Sequence, residues 1–109
     1  MITWDDLEKI DIRVGTILTA VDFTNAKKAA YQLIIDFGEL GIKRSSAQIT
    51  ALYKKEELIG RQVIAVVNFP VKQIANFFSE CLVLGVYNED KNVVLLQPSM
   101  PVQNGGKIG

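Results

Sequence analysis

The chain has 109 residues, 49% of them hydrophobic and 22% charged, with twelve basic side chains balancing twelve acidic ones. That length supports one domain with a modest core, and the neutral balance supplies no overall field toward nucleic acid or membrane. Histidine is absent and cysteine occurs once, which excludes imidazole general bases, Ser–His and Cys–His pairs, zinc sites and an internal disulfide. The lone cysteine fits a reducing compartment. An acidic N-terminus, MITWDDLEK, is unlike a signal peptide. The longest aliphatic run, Val63 to Val67, is far too short to span a bilayer. A cytoplasmic protein without membrane insertion is expected.

In chain order, Thr3 is placed to cap a short helix. Asp5 and Asp6 are favourable in its first turn, and Trp4, Leu7 and Ile10 share one side. The pattern then turns to β. In IRVGTILTAVDF, Ile12 and Val14 point one way, and beyond Gly15 the apolar parity shifts to Ile17, Val21 and Phe23, which predicts a bulge or bend at Gly15. The second strand alternates Tyr31, Leu33, Ile35 and Phe37 against Gln32, Ile34 and Asp36. Gly38 and Gly41 make the turn into IKRSSAQIT, the third strand. ALYKKEELIG carries a helical pattern with Leu52 and Leu58 apolar and Gly60 as its stop. QVIAVVNF and CLVLGVY read as strands four and five, NEDKN as a turn, VVLLQP as a further strand and PVQNGGKIG as an irregular tail.

Three strands, a helix, then two strands is the order of an OB-fold: a mainly β, five-stranded Greek-key barrel with its helix between strands three and four. Here the barrel carries a short N-terminal helix and an extra C-terminal strand. Val63–Val67 and Val93–Leu96 are apolar on both faces, whereas a small barrel has one interior. The outward half needs a cover, and a second copy of the chain is expected to supply part of it, giving a homodimer.

Charge is unevenly spread. Residues 1–41 carry four cations against seven carboxylates, and residues 42–79 carry six cations against two. The basic middle contains the polar candidates. On KRSSAQIT, Lys43, Ser45, Ala47 and Ile49 share one face, and Arg44, Ser46, Gln48 and Thr50 the other. That second row is a hydrogen-bonding surface suited to phosphate or peptide backbone. Asn68 alternates with Val67 and Phe69, which turns its amide outward, and Pro70 ends the fourth strand's ladder. Two readings of Asn68 stand: it offers donors and an acceptor to a ligand, or it satisfies a loop backbone while Glu80 pairs with Lys72. Phe77 and Phe78 cannot both enter the core of an extended segment. One plugs the barrel end, and the other is exposed to stack a base or an apolar side chain, or meets a second subunit. Cys81 is expected to be buried and inert.

The ordered blocks DIRVGTI, LIIDFG, KRSSAQIT, VIAVVNFP, SECLVLG and VVLLQP resemble the tRNA-binding-domain family over nearly the whole chain. Within it the sequence is most similar to the CsaA type, regarded as export-related chaperones. In KQIANFFSECL, Asn76 stands where a glycine is usual, Ala75 takes the place of a basic residue, and Cys81 and Leu82 replace a glycine and a methionine, which fits that type. The resemblance implies a single OB-fold domain over residues 1–109, with N- and C-terminal extensions that dimerise, and no catalysis, cofactor or metal. It implies unfolded or precursor polypeptides as partners, with tRNA as the alternative ligand on the same face. It also carries over Asn68, Lys72, Ser79 and Glu80 as ligand-site residues. With Lys43, Arg44, Ser46, Gln48, Phe77 and Phe78 these form the expected site.

Overall fold

Helix α1, Trp4–Glu8, starts where its side chains dictate. Thr3 Oγ1 accepts from the Asp6 N–H at 3.2 Å and Asp6 Oδ2 accepts from the Thr3 N–H at 2.9 Å. This reciprocal capping box satisfies two otherwise orphan donors. The Thr3 backbone N–H, and then its hydroxyl, hold the Asp6 carboxyl below its ordinary pKa. One and a half turns bury no residue, and Trp4 remains 86% exposed.

The computed structural model describes all residues from Met1 to Gly109. Strands β1 (Ile12–Asp22), β2 (Tyr31–Asp36) and β3 (Ile42–Ala47) form an antiparallel meander. Helix α2 (Lys55–Leu58) follows, and β4 (Gln62–Val66) returns to the free side of β1. A short β7 (Leu82–Val83) pairs with β4 and completes the order β3-β2-β1-β4-β7. This is the expected five-stranded, nearly closed OB barrel. Between β4 and β7 a hairpin of β5 (Lys72–Ile74) and β6 (Phe77–Ser79) stands off the sheet, and a second hairpin, β8 (Gly85–Tyr87) and β9 (Val93–Leu95), follows. The expected fifth strand, CLVLGVY, is thus two strands broken at Leu84, whose N–H donates to the Ile64 carbonyl at 2.8 Å.

Strand β1 serves both halves of the barrel. Ile12–Thr16 pair with β4, and Thr16–Asp22 with β2. The register slips between Ile17 and Thr19, so the extra residue is Leu18 and not Gly15, as the parity argument expected. At the slip, the Ile17 N–H donates to Arg61 O at 2.9 Å and Ile17 O accepts from the Gly60 N–H at 2.8 Å, so the α2–β4 connection replaces the missing ladder bonds. The bulge also reassigns the faces: Ala20 is buried, whereas Val21, expected inside, is exposed. Gly15 has a different task. A Cβ there would lie 2.7 Å from Ile35 Cγ2 and 2.8 Å from the Phe37 ring, so those side chains pack directly on its backbone.

The core follows the alternation of β2. Leu33, Ile35 and Phe37 are fully buried with Ile17, Val63, Ala65 and Leu58. The helix expected over residues 51–60 shrinks to the single turn of α2. Leu58 plugs the barrel, Leu52 stays exposed, and Gly60 leaves at φ +85°, a left-handed conformation that suits glycine. The ladder of β4 ends at Val66, four residues before Pro70, and the Val67 N–H turns to Asp11 O at 2.9 Å. The C-terminal segment is ordered against β1. Gly105 N–H donates to Val14 O at 2.7 Å, Val14 N–H to Gly106 O at 2.9 Å and Ile108 N–H to Ile12 O at 2.9 Å. No helix is long and apolar enough to cross a membrane.

Candidate ligand groove

Strand β3 keeps the predicted faces: Ser45, Ala47 and Ile49 are buried, while Arg44 and Gln48 are exposed and Ser46 is half-buried. Its outer edge lacks a regular ladder partner. One main-chain bond and several side chains close it against Ser79–Cys81 instead. The Glu80 N–H donates to Arg44 O at 2.8 Å, and Glu80 Oε1 accepts from the Arg44 backbone N–H at 3.0 Å and from Arg44 Nε at 3.2 Å. Ser79 Oγ accepts from the Ser46 N–H at 3.2 Å and donates to Cys81 O at 3.3 Å. Buried Ser45 Oγ donates to the same carbonyl at 3.0 Å. Burial alone would raise the Glu80 carboxyl, but the Arg44 backbone N–H and then its guanidinium outweigh it and hold the pKa low. Burial pushes the Cys81 thiol up to about 11, so it is neutral at physiological pH.

This seam takes up several expected ligand residues. Arg44 and Glu80 serve each other, so Glu80 pairs with Arg44 and not with Lys72. Ser79 serves the seam and also borders the groove beside it. Lys43 is half-buried on the inward parity of β3 and lines none of the hollows below. Asn68 is exposed, but its amide is engaged: Oδ1 accepts from the Asp11 N–H at 2.9 Å and Nδ2 donates to Lys9 O at 2.7 Å. It ties the exit of α1 to the end of β4.

The paired phenylalanines separate. Phe77 is buried in a satellite cluster with Phe23 and Ala30, its ring edge-on to Phe23 at 5.4 Å and beneath the Arg44 guanidinium at 5.7 Å. It anchors the β5–β6 hairpin rather than plugging the barrel. Phe78 is 43% exposed. At the hairpin tip Ala75 adopts φ +54°, a backbone that favours glycine, one position before the Asn76 that stands for the family's usual glycine.

Beside the seam, the outer face of β3 and the two hairpins enclose an open groove of about 550 Å³. Ser46, Gln48, Lys72 and Ser79 give it polar atoms, and Ile74, Leu82, Val83 and Val93 an apolar surface. A second hollow of about 460 Å³ adjoins it under the β1–β2 loop, sharing Ser46, Gln48, Lys72 and Ile74 and adding Lys27 and Lys28. A third, of about 310 Å³, is shaped by Phe69, Pro70 and Leu82 and shares Lys72 and Ser79. Lys72 borders all three. The arrangement sets a shallow apolar surface beside hydrogen-bonding side chains.

Sequence reasoning missed Lys27, Lys28, Tyr87 and Lys91 as groove residues. The two early lysines lie in a segment of net negative charge, and only the fold carries them to β5. A lysine pair in a Gly- and Pro-free loop between the first two strands was the available signal, since that loop borders the usual OB-fold binding face.

A family model described as "Putative tRNA binding domain" matches residues 12–107. The methionine–tRNA ligase of Methanococcoides burtonii is 33% identical over 105 residues, 96% of this chain but only 15% of that enzyme, so the chain spans a small part of such ligases. Among solved structures, the chaperone CsaA of Bacillus anthracis is 53% identical with a TM-score of 0.95, covering 100% of this chain and 99% of that one. The CsaA chaperone protein of Picrophilus torridus is 57% identical with a TM-score of 0.94 and full coverage of both chains. The full-length match of fold and sequence admits one conclusion: this chain belongs to the tRNA-binding-domain family.

Proposed function

We propose that the chain is a non-catalytic chaperone of CsaA type that works as a cytoplasmic homodimer. It holds unfolded or presecretory polypeptides along β3 and passes them toward export. The observation that carries this reading is the groove itself. Its walls combine aliphatic side chains with the free polar atoms of Ser46 and Gln48, which suits an extended backbone better than a compact small molecule. Identity of 53% and 57% over the full length of two CsaA chaperones supports it. Dimerisation is supported by exposed apolar side chains toward both ends of the chain, Trp4 and Leu7 on α1 and Val86 and Met100 in the C-terminal part.

A second reading, tRNA binding on the same face, is favoured by one observation: Lys27, Lys28 and Lys72 meet on one hollow. Suppression of aggregation of a denatured client protein and filter binding of tRNA, each measured as salt rises, separate the two. Phosphate-driven binding falls by orders of magnitude between about 50 and 200 mM salt, whereas capture through apolar contact persists. Persistent suppression with weak tRNA binding upholds the chaperone reading. Tight, steeply salt-dependent tRNA binding without suppression overturns it. A monomeric mass in light scattering would remove the dimer.

A further inference from the structure

The groove has a one-sided charge. Eleven residues line the hollow under the β1–β2 loop and 17 line the groove along β3, and none is Asp or Glu. Lys27, Lys28, Lys72 and Lys91 border them, and all four are exposed. The ion pairs of the molecule are Lys9–Asp6, Arg13–Asp11, Arg44–Glu80 and Lys55–Asp22, so none of these four lysines has a carboxylate within 4.0 Å. In a protein with no net charge, a third of its cations border these two hollows without a direct ion pair. Lys91 alone has carboxylates beside it in the chain, Glu89 and Asp90, and like charges on one face repel one another. Such a cluster is relieved when an anionic ligand arrives.

We infer that the trough selects polypeptide segments in which acidic side chains flank apolar ones. The inference rests on the polypeptide reading above and names its substrate class. Ile74, Leu82, Val83 and Val93 take the apolar side chains, and Ser46 and Gln48 are placed for the backbone. Lys27 and Lys28 at one end, Lys72 in the middle and Lys91 at the other receive the carboxylates. Single-stranded RNA fits less well. Sequence-tolerant RNA grooves pair their cations with a run of aromatic platforms, whereas Tyr87 is the one aromatic residue on these walls. Lysine ammonium groups at the rim are exposed, so each pairing adds modest affinity and screens with salt. The effect is therefore a preference among clients.

The test compares three fluorescent peptides that share one apolar core and carry Glu, Gln or Lys flanks, titrated by anisotropy against the full chain. The Glu-flanked peptide is expected to bind about tenfold more tightly than the Gln-flanked one at low salt, from two or so exposed pairings. The Lys-flanked peptide binds weakest, and the spread narrows as salt rises. Lys27→Glu/Lys72→Glu should abolish the order, since two carboxylates then face Lys28 and Lys91, and Lys27→Gln/Lys72→Gln should narrow it. Both retain the wild-type circular dichroism, because neither lysine has a partner to lose. Equal binding of all three peptides overturns the charge selection and leaves the chaperone reading standing. Binding of none of them overturns both. A single-stranded oligoribonucleotide that displaces the Glu-flanked peptide at lower concentration than unlabelled Glu peptide also overturns the inference, since the lysines would then serve phosphates.

Discussion

Two polar regions lie side by side on the outer half of β3, and they are built on opposite rules. In the seam, Arg44, Ser45, Ser79 and Glu80 each find a partner, most of them backbone groups that a missing strand ladder would leave unpaired. In the groove, the Lys27, Lys28, Lys72 and Lys91 ammonium groups and the Gln48 amide form no hydrogen bond or ion pair within the chain. The seam closes the barrel edge, whereas the polar ends along the groove stay unpaired. Ser79, Glu80 and Cys81 thus serve the fold at the border of the groove. The distinction lies in hydrogen-bond partners, not in residue type.

The seam is most sensitive at Ser45. Ser45→Ala leaves a buried carbonyl with only the 3.3 Å bond from Ser79, and should lower the stability by about 1–3 kcal/mol. Urea unfolding would read this as a lower midpoint with unchanged slope. No change would mean that main-chain contact alone closes the barrel. Asn68→Ala should cost about 1 kcal/mol by releasing Lys9 and Asp11, with faster amide exchange at Asp11 and unaltered peptide affinity. A loss of peptide binding at unchanged stability would move Asn68 into the groove.

Glu80 has a smaller, pH-dependent effect. Its folded pKa lies below the ordinary 4.5, so the unfolded chain takes up its proton first as pH falls. The stability it supplies is complete above that ordinary value and is lost as pH drops through the folded one. Between about pH 5 and pH 3 the wild type should therefore lose stability more steeply than Glu80→Gln, whose amide oxygen still accepts from the Arg44 N–H. Parallel urea midpoints across that range would exclude the carboxylate as the seam's clasp. Smallest of all, Lys72→Ala should change stability by no more than about 0.5 kcal/mol while weakening the Glu-flanked peptide. A large drop in its unfolding midpoint would place Lys72 in the structure rather than in the groove.

Elements with a local cause were legible in the residues alone. Period-two alternation set the inward faces of β2 and β3. Thr3 and Asp6 set the start of α1, and Gly38, Gly41 and Gly60 set the turns at positive φ. The order of strands and helix then left few ways to close a barrel. Tertiary structure decided the rest, because the relevant partners lie far apart in the chain. The bulge at Leu18 depends on Gly60 and Arg61 answering Ile17, and parity alone could not tell it from a bend at Gly15. Whether Asn68, Arg44 and Glu80 were free for a ligand turned on bonds across 36 to 59 residues. Lys27 meets Lys72 across one hollow, and Lys72 meets Lys91 across the next, only after the β1–β2 loop and the two hairpins have folded against β3. A side chain's type states which bonds it is able to make, and only the neighbours brought by folding settle whether those bonds are already spent.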